Sequence, residues 1–315
     1  LGAPDASGRR RPEPAPGTEF TIPCDRVLLA IGQGPELDWL TEPGNEGPEK
    51  TKQWRLKADA VTFETGRPGV FGTGDVRIGA ATVVQAIAES AGVDLLHIKG
   101  PAVRAGLRSR PSEGTDVDVI VRPAHVDRLL SALTSRGWTI QHPFTQSSAF
   151  DHAATLRHPT WAYVDLHRFF PGLAADPVRS FEVLWERREE EMLAARPCPV
   201  PDVVSQRLIL LLHAARTPSA TGRHPDVEVN WFELTEPERA EVAALGADLG
   251  AEVGLAAALG TLDAHRGTPE AALWASFSNP SDRVGQWVAR IRAAPTWRAR
   301  ARLTGRAAQA LVRGL

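Results

Sequence analysis

The sequence predicts an α/β (α+β) protein in which short strands come first and a helical region follows. Two segments alternate polar and apolar residues with the period of two that is typical of strands, at 116–121 and at 161–169. Beyond residue 169 apolar residues recur mainly at helical spacing, and proline or glycine separates the segments. Strands followed by helices favour a sheet covered by helices.

The first ninety residues begin with a tail and continue as short strands and a helix. Residues 1–18 are rich in Pro, Gly, Ala and Arg, which predicts a disordered tail. Residues 20–33 predict two strands, and 69–75 predict a strand that runs into the glycine-flanked Asp75. A helix is expected over Thr82–Glu89.

This block, about residues 19–90, resembles the C-terminal FAD-binding segment of pyridine-nucleotide-dependent flavoproteins, and most closely the small subunit of glutamate synthase. The resemblance implies that Gly74 and Asp75 contact the ribityl-phosphate region of a flavin, and that Thr82 and Val83 open a helix aimed at its ring. A complete site also needs an upstream Gly-x-Gly-x-x-Gly fold and a nicotinamide domain, and neither motif occurs in this sequence. We therefore expect FAD binding only together with an upstream flavoprotein part.

A second block begins with a short buried strand over Val93–Ile98, which predicts a helix starting at Gly100 and Pro101. Gly100 permits close approach of the backbone to a ligand, and free N–H groups at a helix start favour phosphate. Lys99 and Gly100 are therefore candidate ligands of nucleotide phosphates. For Lys99 the alternative is a surface lysine whose stem packs on the protein, and we weigh the two equally.

Asp116 and Asp118 are the most informative residues of the chain. Residues two apart in a strand point to the same face, so both carboxylates project together while the valines between them face the other way. Two adjacent carboxylates repel each other unless a cation lies between them, and magnesium suits such oxygen ligands. The alternative is a solvated strand end, which we consider the weaker interpretation.

The segment 161–169 places Asp165 and His167 on one face of a strand. If this strand lies beside the Asp116 strand, Asp165 becomes a third carboxylate at the same metal site; a shift of one residue would turn it away. We interpret His167 as a packing or supporting histidine, and His152 and His158 as loop histidines.

Residues from about 91 onward resemble an uncharacterised nucleotidyltransferase family of the polymerase-β-like superfamily. The resemblance implies transfer of a nucleoside monophosphate from a triphosphate, with magnesium held by Asp116, Asp118 and Asp165 as the catalytic carboxylates. The acceptor hydroxyl is unknown, and so is the oligomeric state. The matching segments are Leu96–Ala102, Thr115–Asp118, Val126–Gly137 and Val164–His167.

The predicted domains are 19–90, a partial FAD-binding oxidoreductase segment; 91–196, the nucleotidyltransferase core; and 197–315, a helical C-terminal region. The helix at 82 runs into the strand at 93 without a linker, so one helix is expected to serve both blocks. A helix with a solvated charge run is predicted over Phe181–Ala195, followed by a break at Pro197–Pro201. The last helix carries five arginines and is either a surface helix, which we favour, or a clamp for triphosphate or RNA.

The composition is that of a globular protein: 43% hydrophobic and 23% charged residues in a chain of 315. A net charge of -2 predicts no broad attraction to nucleic acid or to anionic membranes. Two cysteines, Cys24 and Cys198, are too few for a disulfide framework and favour a reducing cytoplasm. No signal peptide and no membrane span is predicted.

Three functions follow from these observations. The first is a magnesium-dependent nucleotidyltransferase acting on a nucleoside triphosphate and an unknown hydroxyl acceptor. The second is a fragment of an FAD-dependent NAD(P)H oxidoreductase similar to the glutamate synthase small subunit. The third is a non-catalytic nucleotide-binding module. The carboxylates favour the first.

Overall fold

The structure is a computed structural model that describes residues 65–66, 81–108, 116–144, 151–159, 161–193, 196–217, 223–277, 283–294 and 296–312. The chain divides into two compact units, Leu1–Gly34 and Pro35–Leu315, and every described residue belongs to the second. The predictions made for residues 1–64, for Gly74 and for Asp75 lie outside the described residues. The predicted domain boundaries stay predictions.

A five-stranded mixed sheet positions the candidate site. Its strands are β1 (Leu95–His97), β2 (Val117–Val121), β3 (Thr139–His142), β4 (Ala153–His158) and β5 (Ala162–His167), in the order β1-β2-β5-β4-β3. Strands β2 and β5 run parallel, whereas β1 with β2, β5 with β4 and β4 with β3 are antiparallel. The strands predicted at 93–98, 116–121 and 161–169 are confirmed.

Helices cover this sheet and continue beyond it. Short 3₁₀ turns occur at Gly100–Ala102, Pro123–His125 and Leu262–His265, and a short helical stretch spans Pro225–Val227 and Glu228–Phe232. The longer helices are α1 (Ala81–Ser90), α2 (Val126–Thr134), α3 (Pro177–Glu186), α4 (Val203–Ala214), α5 (Glu236–Asp248), α6 (Glu252–Leu259), α7 (Pro269–Ser276), α8 (Arg283–Ala293) and α9 (Trp297–Val312).

The alternation of β2 sorts its side chains between two apolar clusters. Val117, Val119 and Val121 pack with residues of α1 and α2, including Val84 and Leu129. These side chains are fully or almost fully buried, which stabilises the fold by roughly 1.5–3 kcal/mol for each large apolar group.

Ile120 points to the other face of the sheet. It packs in a second cluster with Leu96 of β1, Phe181 of α3 and Leu208 of α4. Because Asp118 lies two residues before Ile120 in the same strand, its side chain faces this second layer. Helices on both faces of a mixed sheet confirm the predicted α/β (α+β) class.

Two aspartates fix the starts of helices on the second face. The Asp176 carboxylate accepts hydrogen bonds from the backbone N–H groups of Val178 and Arg179, and Asp202 accepts one from Ser205. Such caps satisfy N–H groups that the first turn of a helix leaves without partners. They define where α3 and α4 begin.

Helix α1 confirms the helix predicted over Thr82–Glu89 and contributes to the core of the sheet. Ala81, Val84 and Ala88 are at most 1% exposed and belong to the same cluster as Val119. The helix that ends the flavoprotein-like block is therefore also a covering helix of the sheet.

The helix predicted over Phe181–Ala195 is wrong beyond Glu186. Helix α3 ends there, and the following residues form a hairpin of β6 (Glu189–Leu193) with β7 (Arg196–Val200). The predicted apolar stripe does not continue, because Met192 is 60% exposed. The charge run is thus divided between a helix end and a strand.

Strand β7 also replaces the break predicted at Pro197–Pro201. Cys198 and Val200 alternate with prolines and insert into the apolar cluster of α1. Proline is tolerated in such a short two-stranded hairpin, which is all edge. Cys198 is fully buried in this cluster, and this burial raises the pKa of its thiol to about 11. Cys24 lies outside the described residues.

The remaining predicted helices at 202–215, 237–249, 269–277, 282–293 and 295–315 correspond to α4, α5, α7, α8 and α9. Helix α6 and the short helical stretch at 225–232 are additional elements. Among the described helices, none combines the length and the apolar character required to cross a bilayer.

Candidate active site

The two predicted strands lie side by side, and their register brings two of the three carboxylates together. Strands β2 and β5 pair in parallel with Asp118 directly opposite Asp165. Asp118 is 9% exposed, and Asp165 is half-buried. The shift of one residue that would have turned Asp165 away does not occur.

Asp116 lies one residue before β2 and is exposed. Partial burial of its carboxyl group and the nearby charges of Asp165 and Asp118 raise its pKa, against the opposing effect of Lys99. The carboxylates of Asp165 and Asp118 therefore act electrostatically on Asp116, which lies at the edge of the site.

Lys99 directly contacts Asp118. Its Nζ lies 2.5 Å from Oδ1 of Asp118, and both side chains are more than 85% buried. The backbone places it there, because the N–H of Ile98 donates to the carbonyl of Asp118 at 3.0 Å, which extends the pairing of β1 with β2. Lys99 is thus a buried member of the site and not a surface lysine.

Gly100 follows with φ of +60°, in the left-handed region that favours glycine. A Cβ at this position would lie 3.4 Å from the backbone oxygen of Asp116. The turn after Lys99 therefore passes close to the start of β2. The helix predicted to begin here is wrong: the structure has a 3₁₀ turn of three residues, Gly100–Ala102, and then extended backbone at Val103.

His167 supports the site, as the sequence suggested, and the structure identifies its partner. It is 2% exposed, and its Nε2 lies 2.9 Å from Oδ1 of Asp118. A carboxylate can only accept, so Nε2–H of His167 donates. Burial lowers the pKa of His167, although the bond to Asp118 opposes this effect, and the ring is neutral. Its position two residues after Asp165 was the available signal.

Lys99 and His167 together set the charge of Asp118. Burial alone would raise the pKa of this carboxyl group. The Lys99 ammonium and the hydrogen bond from His167 outweigh burial and hold that pKa well below its usual range. Asp118 is therefore ionised at neutral pH.

Asp165 is oriented from the opposite side. The hydroxyl of Thr155, its register partner in β4, donates to Oδ1 of Asp165 at 2.6 Å. Thr155 is a further residue that sequence reasoning missed, because the pairing of β4 with β5 joins segments whose contact no local pattern encodes. The two central carboxylates thus each have a fixed donor.

The arrangement is suited to a hard divalent cation. Ligand atoms of Asp118, Asp165 and His167 lie within 4.8 Å of one another. Two carboxylates this close, with Asp116 at the edge of the site, offer oxygen ligands of the kind that suit magnesium. His167 donates its Nε2–H to Asp118, so this nitrogen supports a ligand and does not bind the ion itself, whereas its Nδ1 has no hydrogen-bond partner among the described residues.

Positive charge also approaches from helix α4. Arg216, just after α4, lies with its guanidinium 5.3 Å from the ring centroid of Phe170, which in turn stacks on His167. Burial lowers the pKa of Arg216 to about 10, and the charge of Asp118 acts in the opposite direction. Arg216 is therefore a cation at neutral pH, as is suitable for holding an anionic substrate.

The interpretation of His158 as a loop histidine is wrong, whereas His152 lies in the loop directly before β4, as predicted. His152 is 6% exposed, and its ring centroid lies 5.0 Å from that of His167. His158 ends strand β4, and its ring contacts Trp138 at 5.3 Å. Strand β4 begins directly after His152 and ends at His158, with Ala154 and Leu156 buried, Thr155 half-buried and Arg157 exposed.

Of the candidate flavin residues, Thr82 and Val83 are described. They occupy the first turn of α1 and line an open cavity of about 590 Å³. The other lining residues are Ala86, Ile87, Ser90, Arg136, Trp138, Trp161 and Arg196. These residues do not include Lys99 or the three carboxylates.

Comparison with curated proteins identifies relatives of one part of the chain. Over 89 residues it is 51% identical to the NADP(+)-dependent formate dehydrogenase subunit beta of Moorella thermoacetica, which covers 28% of this chain and 12% of the relative. Over 90 residues it is 37% identical to the glutamate synthase NADPH small chain of Escherichia coli, covering 28% of this chain and 19% of the relative. The flavoprotein resemblance is confirmed.

The chain thus spans less than a quarter of the length of these relatives. No family model matches. Solved structures similar to this chain include the lincomycin-bound lincosamide antibiotic adenylyltransferase LnuA, with a TM-score of 0.31 and 19% identity over 52% of this chain and 92% of that one. An antigenic nucleotidyltransferase-like protein of Paracoccidioides brasiliensis gives a TM-score of 0.31 and 16% identity over 63% and 89%.

Proposed function

We propose that the protein is a magnesium-dependent nucleotidyltransferase that moves a nucleoside monophosphate from a triphosphate to a hydroxyl acceptor. The observation that carries this proposal is the pairing of Asp118 with Asp165 on adjacent parallel strands, with Lys99 in contact with Asp118. Both carboxylates face one layer of the molecule and are fixed by donors from other elements.

In this proposal Asp116, Asp118 and Asp165 hold the metal. When bound, magnesium would neutralise phosphate oxygens and lower the pKa of the acceptor hydroxyl. The ionised state of Asp118 prepares it for this role without loss of a proton, because Lys99 and His167 already stabilise its charge. The raised pKa of Asp116 reflects repulsion that a bound cation would relieve.

Lys99 and Gly100 hold the phosphates, and Arg216 adds a cation. Because Gly100 has no side chain, its turn passes close to the backbone of Asp116 at the edge of the carboxylate site. When a triphosphate binds here, the Lys99 ammonium can leave the Asp118 carboxylate and pair with a phosphate oxygen instead. Such an exchange keeps the ammonium paired in both states.

Asp165 receives the proton of the acceptor hydroxyl. The hydroxyl oxygen forms a bond to the α-phosphorus as the bond from that phosphorus to the bridging oxygen breaks, and pyrophosphate leaves. Thr155 fixes one oxygen of Asp165 and leaves the other for the proton. The acceptor is a small metabolite, a protein side chain or an RNA end.

The test is magnesium-dependent binding of each nucleoside triphosphate by titration calorimetry, followed by release of pyrophosphate in the presence of acceptor pools. We expect Asp118→Asn and Asp165→Asn each to lower the rate of pyrophosphate release about a hundredfold or more. Positioning and charge stabilisation supply most of the rate in phosphoryl transfer, and each change removes one charged ligand. The matched control is Asp127→Asn, the same change at an exposed aspartate of α2. Full activity in Asp118→Asn would refute the metal assignment, whereas tight binding without turnover would favour a non-catalytic nucleotide-binding module.

A second candidate function concerns the flavoprotein-like block. Its curated relatives include NADPH-linked oxidoreductase subunits, and its helix α1 lines the 590 Å³ cavity with Trp138, Trp161 and two arginines. Aromatic and cationic side chains suit a planar, anionic ligand. Within a longer flavoprotein, this block would contribute Gly74, Asp75, Thr82 and Val83 to an FAD site. A visible flavin spectrum in the purified protein is the test.

A further inference from the structure

The last helix, α9, is attached to the site region through a buried ion pair. Nη1 of Arg306 lies 2.9 and 3.1 Å from the two carboxylate oxygens of Asp151, which is 8% exposed. Arg302, one turn earlier in the same helix, lies 3.9 Å from Asp151 and is 60% exposed. This arrangement differs from the free surface helix that the sequence favours, since one of its arginines is engaged inward.

The backbone at Asp151 adopts an unusual conformation. Its φ is +54°, a left-handed value that non-glycine residues adopt mainly when they are Asp or Asn or when the surroundings hold them. Arg168, which follows β5 directly, donates from Nε to the carbonyl of Asp151 at 3.0 Å and from its backbone N–H to the carbonyl of His152 at 2.9 Å. Residues 151 and 152 are therefore fixed from two sides.

His152 transmits this placement to the carboxylates. Its buried ring packs against the ring of His167 with centroids 5.0 Å apart. His167 in turn donates to Asp118 at 2.9 Å. A continuous set of contacts thus runs from Arg306 through Asp151 and the two rings to the central carboxylate.

We propose that Arg306 and Asp151 are positioning residues through which α9 fixes the orientation of Asp118. Without the ion pair, Asp151 can leave the left-handed conformation, the His152 ring beside it shifts, and His167 no longer holds one rotamer. Where the inference concerns catalysis, it rests on the proposed nucleotidyltransferase function. Where it concerns the orientation of His167 and Asp118, it stands on the contacts alone.

The surroundings of Asp151 make the experiment feasible. Arg302 of α9 lies near its carboxylate, and Arg290 of α8 interacts electrostatically with both Asp151 and Arg306. The Asp151 carboxylate therefore keeps cations nearby when Arg306 is replaced, and the fold is expected to survive. Asparagine tolerates the left-handed region, so Asp151→Asn removes the charge without a new backbone constraint.

The experiment compares Arg306→Gln, Asp151→Asn and the double variant with Arg302→Gln, the same change one turn away in the same helix. The first measurement is the imidazole NMR signals of His152 and His167 in the full chain without nucleotide. We expect both signals to move in the three test variants and to stay in place in Arg302→Gln. The effects of the single changes should overlap in the double variant, because the two residues act as a pair.

The second measurement is magnesium-dependent transfer. Arg306→Gln should lower kcat about tenfold while KM for the triphosphate changes by less than about threefold, since geometry at the reacting centre is lost and substrate contacts are not. Arg306→Lys keeps the charge and should recover part of the loss. A general loss of stability would not produce this separation of kcat from KM.

The outcomes distinguish this inference from the proposed function. Unchanged signals of His152 and His167 in Arg306→Gln, with unchanged kcat, would overturn the coupling and leave the nucleotidyltransferase proposal intact. Shifted signals in a protein that binds no nucleoside triphosphate would support the coupling and refute the proposed function. Equal effects of Arg302→Gln and Arg306→Gln would overturn the role of the ion pair.

Discussion

At the scale of single residues, two buried histidines on opposite faces of the sheet are kept neutral by burial. His167 donates to Asp118, and His97 of β1 is 1% exposed and donates from Nε2 to the side-chain oxygen of Gln85 at 3.1 Å. Gln85 donates its own amide to Glu89, which fixes the orientation of that amide. The sequence placed His167 on the correct face of its strand. It could not supply the partner, because 49 residues separate it from Asp118.

The buried histidine of β1 leads to a prediction for the dependence of stability on pH. Burial lowers the pKa of His97 to about 4, below the value of 6.5 expected in the unfolded chain. Between these values the unfolded state binds the extra proton, so the free energy of unfolding should fall as the pH decreases from 6.5 to about 4. The contribution of His97 over this window is about 3 kcal/mol.

Urea denaturation from pH 7.5 to 4 checks this prediction. The pH dependence should become shallower in His97→Gln and remain as in the parent in His142→Gln, a change at an exposed histidine of β3. An identical slope in His97→Gln and the parent would show that His97 does not stay neutral in the folded protein.

At the scale of elements, predictions from sequence were correct where a single residue pattern determined the element. The strands carrying Asp118 and Asp165, helix α1 and most C-terminal helices follow from their periodicity. The register of β2 with β5 could not be predicted from the sequence, because pairing between distant strands depends on how both faces of the sheet pack. The hairpin of β6 and β7 was not predicted. Phe181 and Leu184 are buried in a real helix, and apolar residues at helical spacing happen to continue past its end to Leu193.

Packing between the C-terminal helices depends on the absence of a side chain at one position. A Cβ at Gly254 of α6 would lie 2.5 Å from Cδ2 of Leu212 and 3.1 Å from Trp274, and both of these side chains are buried. Gly254→Ala should therefore lower the free energy of unfolding by about 1–3 kcal/mol through overpacking.

Gly305 provides the matched control within a helix. A Cβ there meets no atom within 4 Å, and Gly305 lies inside α9. Gly305→Ala should raise the free energy of unfolding by up to about 1 kcal/mol, because alanine loses less conformational entropy in a helix. Urea titrations of both variants measure these changes in the free energy of unfolding. If Gly254→Ala is as stable as the parent, Leu212 and Trp274 do not pack as tightly against Gly254 as the structure shows.

At the scale of the whole molecule, two blocks with different relatives share one chain. The curated relatives that match 28% of its length include subunits of NADP-linked oxidoreductases, whereas Asp118, Asp165 and His167 form a separate group that could hold a metal ion. The sequence indicated both resemblances from local motifs. Whether either block is active depends on ligand contacts that motifs alone do not contain.

Ligand-dependent thermal stability of the full chain separates the two functions. A ligand present at about 100 times its dissociation constant should add about 2.7 kcal/mol. We expect a nucleoside triphosphate with magnesium to raise the melting temperature, and Asp116→Asn to remove this effect because it takes away one proposed ligand.

The same measurement with FAD is the opposing condition. Stabilisation by FAD, with no response to any triphosphate, would assign the function to the flavoprotein-like block. In that case Asp118 and Asp165 would be the remnant of a former metal site. Stabilisation by both ligands would indicate two working sites in one chain.

Helix α1 has a consequence for any attempt to divide the protein. By resemblance it closes the oxidoreductase segment, yet Val84 and Ala88 lie in the apolar cluster beneath the sheet. A cut at residue 91, where the sequence predicts the nucleotidyltransferase core to begin, would uncover one face of β2 and expose Val119 and Leu129 to water. The boundary predicted from sequence and the boundary set by packing thus fall at different places, and a fragment that keeps this sheet must also keep helix α1.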